Sequence, residues 1–311
     1  MNESPSSLAE HQLLLEPGTL WETVLDRRNW AIASGALQSI PTDCEFVEQD
    51  GIRFLVRILA NLDRKQKAKK QQEKVKETSG KEVNPFLPYD ENLFVADISD
   101  THLFLFNKFN VVDHHLLIVT RAFEEQETWL TLRDFEAMWV GLAEIEGLVF
   151  YNGGSAAGAS QRHKHLQLVP LPMVPDAVNL PIDPAIADAR FRGTLGTVPG
   201  FPFVHAIAQL DPNWARSPSE AAAETLALYR SLLDAVGLQY DANNGNRQTG
   251  AYNLLATRQW MLIVPRSQES FEAISINSLG FAGALLVRDS QQMERLKTYR
   301  PLQILQHVGC H

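Results

Sequence analysis

The chain has 311 residues, 45% of them hydrophobic, which is enough material for one large domain or two packed lobes. Acidic residues outnumber Lys and Arg by 37 to 28, and the net charge of -9 argues against a protein held on nucleic acid by general phosphate attraction, so any phosphate site must be local. The two cysteines, Cys44 and Cys310, have no metal-ligand spacing and form no disulfide framework, and no stretch reaches the roughly eighteen apolar residues of a membrane span; a cytoplasmic protein with no membrane partner is expected.

In chain order, Thr19 and Glu22 are spaced as a capping box opening an amphipathic helix with Trp21, Val24 and Leu25. "CEFVEQDGIRFLVRIL" predicts a hairpin turning at Asp50-Gly51. The run 63–82, "DRKQKAKKQQEKVKETSGKE", has too few apolar residues to be buried and is expected to be a mobile basic surface loop. "HLFLFN" and "DHHLLIVT" predict strands around Lys108 to Val112, followed by a helix with Phe135, Met138, Trp139, Leu142 and Ile145 on one stripe. Strands at "LVFYN" and "HKHLQLV" flank a loop of Gly, Ala and Ser.

A proline-rich connection from Pro170 to Pro218 leads to a helix ending at Gly237, a hairpin in "AYNLLATRQWMLIVPR", two short strands with a glycine turn in "ISINSLGFAGALLVRD", and a last helix interrupted at Pro301. Antiparallel hairpins alternating with single helices predict an α+β fold rather than a parallel sheet. The expected organisation is a catalytic region over 1–180 and a C-terminal region over 181–311.

The chemistry concentrates in "YNGGSAAGASQRHKHLQLVPLP" at 151–172. On a strand, His163, His165 and Gln167 project to one face while Lys164, Leu166 and Leu168 point to the other. Gly153, Gly154 and Gly158 leave the backbone unobstructed, so the loop's N–H groups can approach an anion. An imidazole beside a cradled phosphate suits nucleophilic attack on phosphorus. Two other readings stand beside this one. One is a zinc site, for which HxH supplies two ligands and no Cys pair or HExxH completes the set. The other is a pair of satisfied strand histidines without chemistry. Trp139, Trp260 and Phe281 read as core residues rather than adenine stackers.

"NGGSAAGASQRHKHLQLVP" resembles the active-site segment of the histidine triad superfamily, in the nucleotidyl-transferase branch where HxHxQ replaces HxHxH. "NPFLPYDENLFV", "LFNKFNVVDHHLLIVTRAFEEQ", "YNLLATRQWMLIVPRS" and "INSLGFAGALLVRD" extend the resemblance to the diadenosine tetraphosphate phosphorylase (ATP adenylyltransferase) family, from about Phe54 to Val287 apart from the basic run and much of the proline-rich middle. The resemblance implies a histidine-triad-like antiparallel sheet elaborated by a C-terminal lobe. It implies that His165 attacks the α-phosphorus of diadenosine tetraphosphate, expels ATP and holds AMP until inorganic phosphate removes it as ADP. The carbonyl of His163 would orient His165. Gln167 can donate a hydrogen bond to a phosphate oxygen but cannot deliver a proton.

The same resemblance places Asn152, Gly158, Ala159, Ser160 and Gln161 at the phosphate loop and Asn107 and Lys108 at the nucleotide. It aligns Lys65 with a lysine of the family, and Asn277, Ser278 and Leu279 with a nucleotide-contacting segment. Arg288 stands where relatives carry Lys, and Ala284 where they can carry Met. Mg²⁺ is expected to arrive with the polyphosphate, without a tightly bound protein metal. The competing functions are a hexose-1-phosphate uridylyltransferase, which usually has Pro where this chain has Lys164, and a nucleotide-binding module without turnover.

Overall fold

The central strands are buried on both faces, and their side chains alternate between two apolar layers. The structure, a computed structural model, describes residues 12–59, 84–173, 179–239 and 245–311; the basic run 63–82, with Lys65, lies outside the described residues. The elements are α1 (Leu20–Ala33), β1 (Thr42–Gln49), β2 (Ile52–Leu59), β3 (Phe94–Asp97), β4 (His102–Phe106), β5 (Leu116–Thr120), α2 (Leu132–Glu144), β6 (Gly147–Gly153) and β7 (His165–Pro170). They continue as α3 (Asp183–Ala187), β8 (Arg190–Arg192), β9 (Leu195–Thr197), β10 (Ala206–Gln209), α4 (Pro218–Ala235), β11 (Tyr252–Ala256) and β12 (Trp260–Pro265). The chain closes with β13 (Ser270–Phe271), β14 (Ile274–Ser275), α5 (Ser278–Phe281), β15 (Ala284–Val287), α6 (Ser290–Tyr299) and α7 (Pro301–Val308).

Ten strands form one sheet in the order β3-β4-β5-β7-β6-β11-β12-β10-β9-β8, every neighbouring pair antiparallel. The fold is α+β, and the sheet continues without a break from strands before residue 180 to strands after it. β1, β2 and β15 form a second sheet in which β15 runs parallel to β2. On β6, Val149 and Tyr151 join an apolar cluster with Phe135, Met138 and Trp139 of α2 and Tyr229 of α4, while Leu148 and Phe150 join a cluster on the other face with β2, β15, α6 and α7. A third, small cluster of Phe86, Leu103, Leu105, Leu117 and Val119 covers the β4-β5 end of that second face.

The hairpin at Asp50-Gly51, the stripe on α2 and the break at Pro301 are where the sequence places them, and Trp139, Trp260 and Phe281 are core residues. The start of α1 differs. Thr19 occupies the N-cap but makes no cap bond; its hydroxyl donates to the Glu16 carbonyl at 2.6 Å. The carboxylate of Glu144 instead accepts from Gly18 N at 2.7 Å and Leu20 N at 3.2 Å, so the C-terminal end of α2 caps α1. Trp21 and Leu25 are partly exposed, because only Val24 of that trio faces the core. A capping box does form at α2, between Thr131 and Asp134. Of the two short strands expected in 274–289, β14 pairs with β13 and β15 with β2, and between them stands the short helix α5, nucleated by the Asn277 side chain accepting from Leu279 N at 3.0 Å. Among the described residues no helix is long and apolar enough to cross a membrane.

Candidate active site around His165

β7 lies between β5 and β6, with Val119 opposite His165 and both Leu117 and Phe150 opposite Gln167. Leu166 and Leu168 turn to the α2 face, so His165 and Gln167 open on the other one, in the gap between the small Phe86 cluster and the larger cluster containing Phe150. The Phe86 ring touches both histidines edge-on, with centroids 5.5 Å from His163 and 5.3 Å from His165, and Phe123 meets His163 at 5.5 Å. The three polar side chains are thus brought to one opening in an apolar surface.

Each imidazole has a tautomer fixed by a backbone carbonyl, because a carbonyl oxygen only accepts. His165 Nδ1 lies 2.8 Å from the His163 carbonyl, so Nδ1 carries the proton and Nε2 keeps its lone pair. Nε2 has no hydrogen-bond partner among the described residues. Burial lowers the His165 pKa to about 4, which makes the ring a neutral imidazole at ordinary pH. His163 Nε2 lies 2.8 Å from the Thr120 carbonyl and its Nδ1 accepts from Asn84 Nδ2 at 3.0 Å; burial lowers its pKa as well. Gln126 clamps the His165 backbone: Oε1 accepts from His165 N at 2.8 Å, and Nε2 donates to the carbonyls of His165 at 3.2 Å and Asn152 at 2.9 Å.

Lys164 points away from this face, as strand alternation requires, and is fully buried. Its ammonium contacts Asp134 Oδ2 at 2.7 Å, Glu124 Oε2 at 3.2 Å and the Trp129 carbonyl at 3.2 Å. Burial alone would raise the Asp134 pKa, but the Lys164 charge and the His102 and Lys164 hydrogen bonds outweigh it and hold this carboxyl well below the usual range. The motif is therefore tethered from behind to the first turn of α2.

The small-residue loop before the motif is tighter than its composition suggests. Gly154 and Gly158 take positive φ values of 102° and 89°, around a 3-10 turn at Ser155–Ala157. That turn consumes donors: Gly158 N bonds the Ser155 carbonyl and Ala159 N the Gly154 carbonyl, at 3.0 and 3.1 Å. In this conformation those two N–H groups are engaged within the loop itself. Ser160 is exposed and Gln161 half-buried at the loop's exit. Asn152 Oδ1 accepts from Ser278 N at 3.0 Å and Asn253 Nδ2 at 3.0 Å, so Ser278, fully buried, positions Asn152 from behind. Asn277 packs on the loop, where a Cβ added to Gly158 would meet Asn277 Cβ at 2.9 Å. Leu279 is nearly buried beside it.

Other expected contacts lie further off. Asn107 turns its amide to His115 at 3.3 Å, and the Lys108 ammonium lies 5.8 Å from the Phe109 ring. Arg288 is exposed at the end of β15, in the small sheet, and the described residues do not join it to the His165 opening. Asn84, Phe86, Gln126, Asn253 and Arg266 lie within the segments that carry the resemblance but were not singled out as site residues, because their roles depend on distant partners. Arg266 is a buried guanidinium satisfied by neutral groups, including Asn253 Oδ1 at 2.6 Å and the Ile276 carbonyl at 3.0 Å, and burial lowers its pKa to about 10.

A family model described as Ap4A phosphorylase N-terminal domain matches residues 10–188, and one described as ATP adenylyltransferase C-terminal domain matches residues 199–311. The chain belongs to the Ap4A phosphorylase family. It is 31% identical over 247 residues to diadenosine 5',5'''-P1,P4-tetraphosphate phosphorylase 2 of Saccharomyces cerevisiae, covering 71% of this chain and 74% of the relative. Protein APA1 of the same yeast is 29% identical over 208 residues, covering 62% and 63% of the two chains. The crystal structure of yeast Ap4A phosphorylase Apa2 in complex with Ap4A superposes with a TM-score of 0.73 at 23% identity, covering 95% of this chain and 98% of that one. At that identity the superposition establishes the fold shared within the family.

Proposed function

We propose that the chain catalyses phosphorolysis of diadenosine tetraphosphate to ADP and ATP, as a nucleotidyltransferase working through an adenylyl-histidine. The observation that carries the mechanism is His165: neutral, with its Nδ1 proton held by the His163 carbonyl, it offers a nucleophilic lone pair on Nε2 that has no hydrogen-bond partner among the described residues. Nε2 attacks the α-phosphorus as the bond to the departing ATP breaks, leaving AMP on the ring. An oxygen of inorganic phosphate then attacks the same phosphorus, the P–N bond breaks, and ADP departs. Neither leaving group needs a proton, since each is a stable phosphate anion or a neutral imidazole. That chemistry suits Gln167, which donates hydrogen bonds without acting as an acid.

In this reading the region 1–180 supplies the nucleophile and the phosphate loop, while 181–311 completes the nucleotide site through Asn277 and Leu279; for Lys65 and Arg288 a place at the polyphosphate is supported by the family resemblance alone. Asn107 and Lys108 border the nucleotide, and Ser160 and Gln161 supply the loop's outward N–H groups. The side chains facing the opening are imidazoles and amides, poor ligands for Mg²⁺, so a magnesium ion accompanying the substrate takes its ligands from phosphate oxygens and water. A cytoplasmic location is in keeping with two free cysteines. The test is incubation with diadenosine tetraphosphate with and without inorganic phosphate: ADP plus ATP should appear only with phosphate. A hexose-1-phosphate uridylyltransferase would instead exchange uridylyl groups, and a binding module would release nothing.

A further inference from the structure

His115 was not singled out by the sequence motif, yet it is buried on the same face and its Nε2 lies 2.9 Å from Gln167 Oε1. A chain of hydrogen bonds fixes which atom donates at every step, starting from a donor that admits no ambiguity. The backbone N–H of Phe109 points at the Asn107 side chain at 3.3 Å, so the atom it meets is the amide oxygen. The other end of that amide is therefore NH₂, and it faces His115 Nδ1 at 3.3 Å. Nδ1 must accept, so the proton of this imidazole is on Nε2. Nε2 donates to Gln167, which makes the facing atom of Gln167 its oxygen and leaves the NH₂ group of this half-buried residue without a hydrogen-bond partner among the described residues. Asn107 N also bonds the His115 carbonyl at 2.9 Å, and the His115 ring lies tilted against Phe150 at 5.8 Å, so the pair is held at both backbone and ring.

We infer that Asn107 and His115 are positioning residues that act through Gln167, selecting the amide orientation in which its NH₂ group faces the phosphate being transferred. The inference deepens the proposed reaction and rests on it. A freely rotating Gln167 would present its oxygen to the phosphate in part of the population, and a carbonyl oxygen repels a phosphate oxygen. The relay removes that orientation at no cost during the reaction, which is what preorganisation means for a donor. It also requires that His115 stay neutral. Burial, partly offset by the Gln167 hydrogen bond, lowers its pKa to about 4, so it does so throughout the physiological range.

The test is a cycle on the full-length chain, measuring kcat and KM for phosphorolysis in His115→Phe, His115→Gln, Gln167→Ala and the His115→Phe/Gln167→Ala pair. His115→Phe should lower kcat about tenfold or more with KM changed by less than about twofold, by analogy with the loss of preorganised donors. His115→Gln, whose amide nitrogen falls where Nε2 was, should recover most of that loss. In the Gln167→Ala background His115→Phe should change kcat by less than about twofold, because residues acting as a unit are not additive. Full activity in His115→Phe, or an equal loss in both backgrounds, overturns the relay and leaves a merely structural histidine. ¹⁵N NMR of the wild-type chain decides the matter even if the Phe variant does not fold: Nδ1 should be unprotonated and Nε2 protonated, and the reverse tautomer overturns the inference. A Gln167→Ala chain as fast as wild type strikes instead at the role given to Gln167, and a wild-type chain without phosphate-dependent ADP release strikes at the proposed reaction.

Discussion

The carbonyl oxygen of His163 holds the Nδ1 proton of His165 at 2.8 Å, two residues along the same chain. The contact is made where β7 begins at His165 and His163 forms only an isolated bridge to Glu125. It sets the tautomer of His165 without a carboxylate: among the described residues no acidic side chain is hydrogen-bonded to this imidazole. His165→Ala should abolish turnover while leaving AMP binding within a few-fold, because the loop and its backbone donors remain. Two in-line displacements at one phosphorus should also give overall retention with a chiral phosphorothioate substrate. Inversion would show direct attack by phosphate.

The acidic limb of the kcat/KM profile should fall near pH 4 rather than near the ordinary histidine value of about 6.5, since burial favours the neutral His165. Stability has its own pH dependence with the same cause. The folded-state pKa values of His115 and His165, both about 4, lie below the unfolded value, so their contribution is complete above about pH 6.5 and is lost as pH falls toward 4, where the unfolded chain binds protons the folded one refuses. Histidine NMR titration and urea unfolding at pH 7 and pH 5 check both statements. A His165 midpoint near 6.5 would contradict the first.

Lys164→Met should destabilise the fold by about 3–5 kcal/mol, the usual cost of leaving one member of a buried ion pair behind. The stranded partner is Asp134, which is 1% exposed and bonded to His102. Adding Asp134→Asn should recover part of the loss, since Asn removes the charge and keeps an oxygen for the α2 cap. Urea denaturation of the two variants measures the difference, and equal stability of Lys164→Met and wild type would show that the pair contributes nothing.

Gly158→Ala should impair both folding and turnover. The residue has φ of +89°, and its new Cβ would stand 2.9 Å from Asn277 Cβ and 3.0 Å from the Ile276 carbonyl, so the loop must shift away from α5. A loss of about 1–3 kcal/mol is expected from strain of this kind, together with reduced kcat/KM. Gly193→Ala is the control: its φ is +67° but nothing lies within 4 Å of the added Cβ, so it carries the backbone cost alone and should leave activity unchanged. Thermal melts and steady-state kinetics on the pair separate the two contributions.

What the sequence determined by itself is periodic and local. Alternation along 163–168 placed His165 and Gln167 on one face and Lys164 on the other, Asp50-Gly51 set a hairpin, and the α2 stripe chose its buried side, because each rests on backbone geometry within a few residues. Tertiary structure decided the partners. Asn84 reaches His163 across 79 positions, His115 reaches Gln167 across 52, and Ser278 reaches Asn152 across 126, each through the order in which strands and loops assemble. The same dependence explains Thr19, whose spacing with Glu22 suggested a capping box while Glu144, 124 residues beyond Leu20, capped the helix instead. A side-chain hydrogen bond requires two groups within about 3 Å in a set direction. Spacing supplies that along one strand or helix, and between strands only the register of the assembled sheet supplies it.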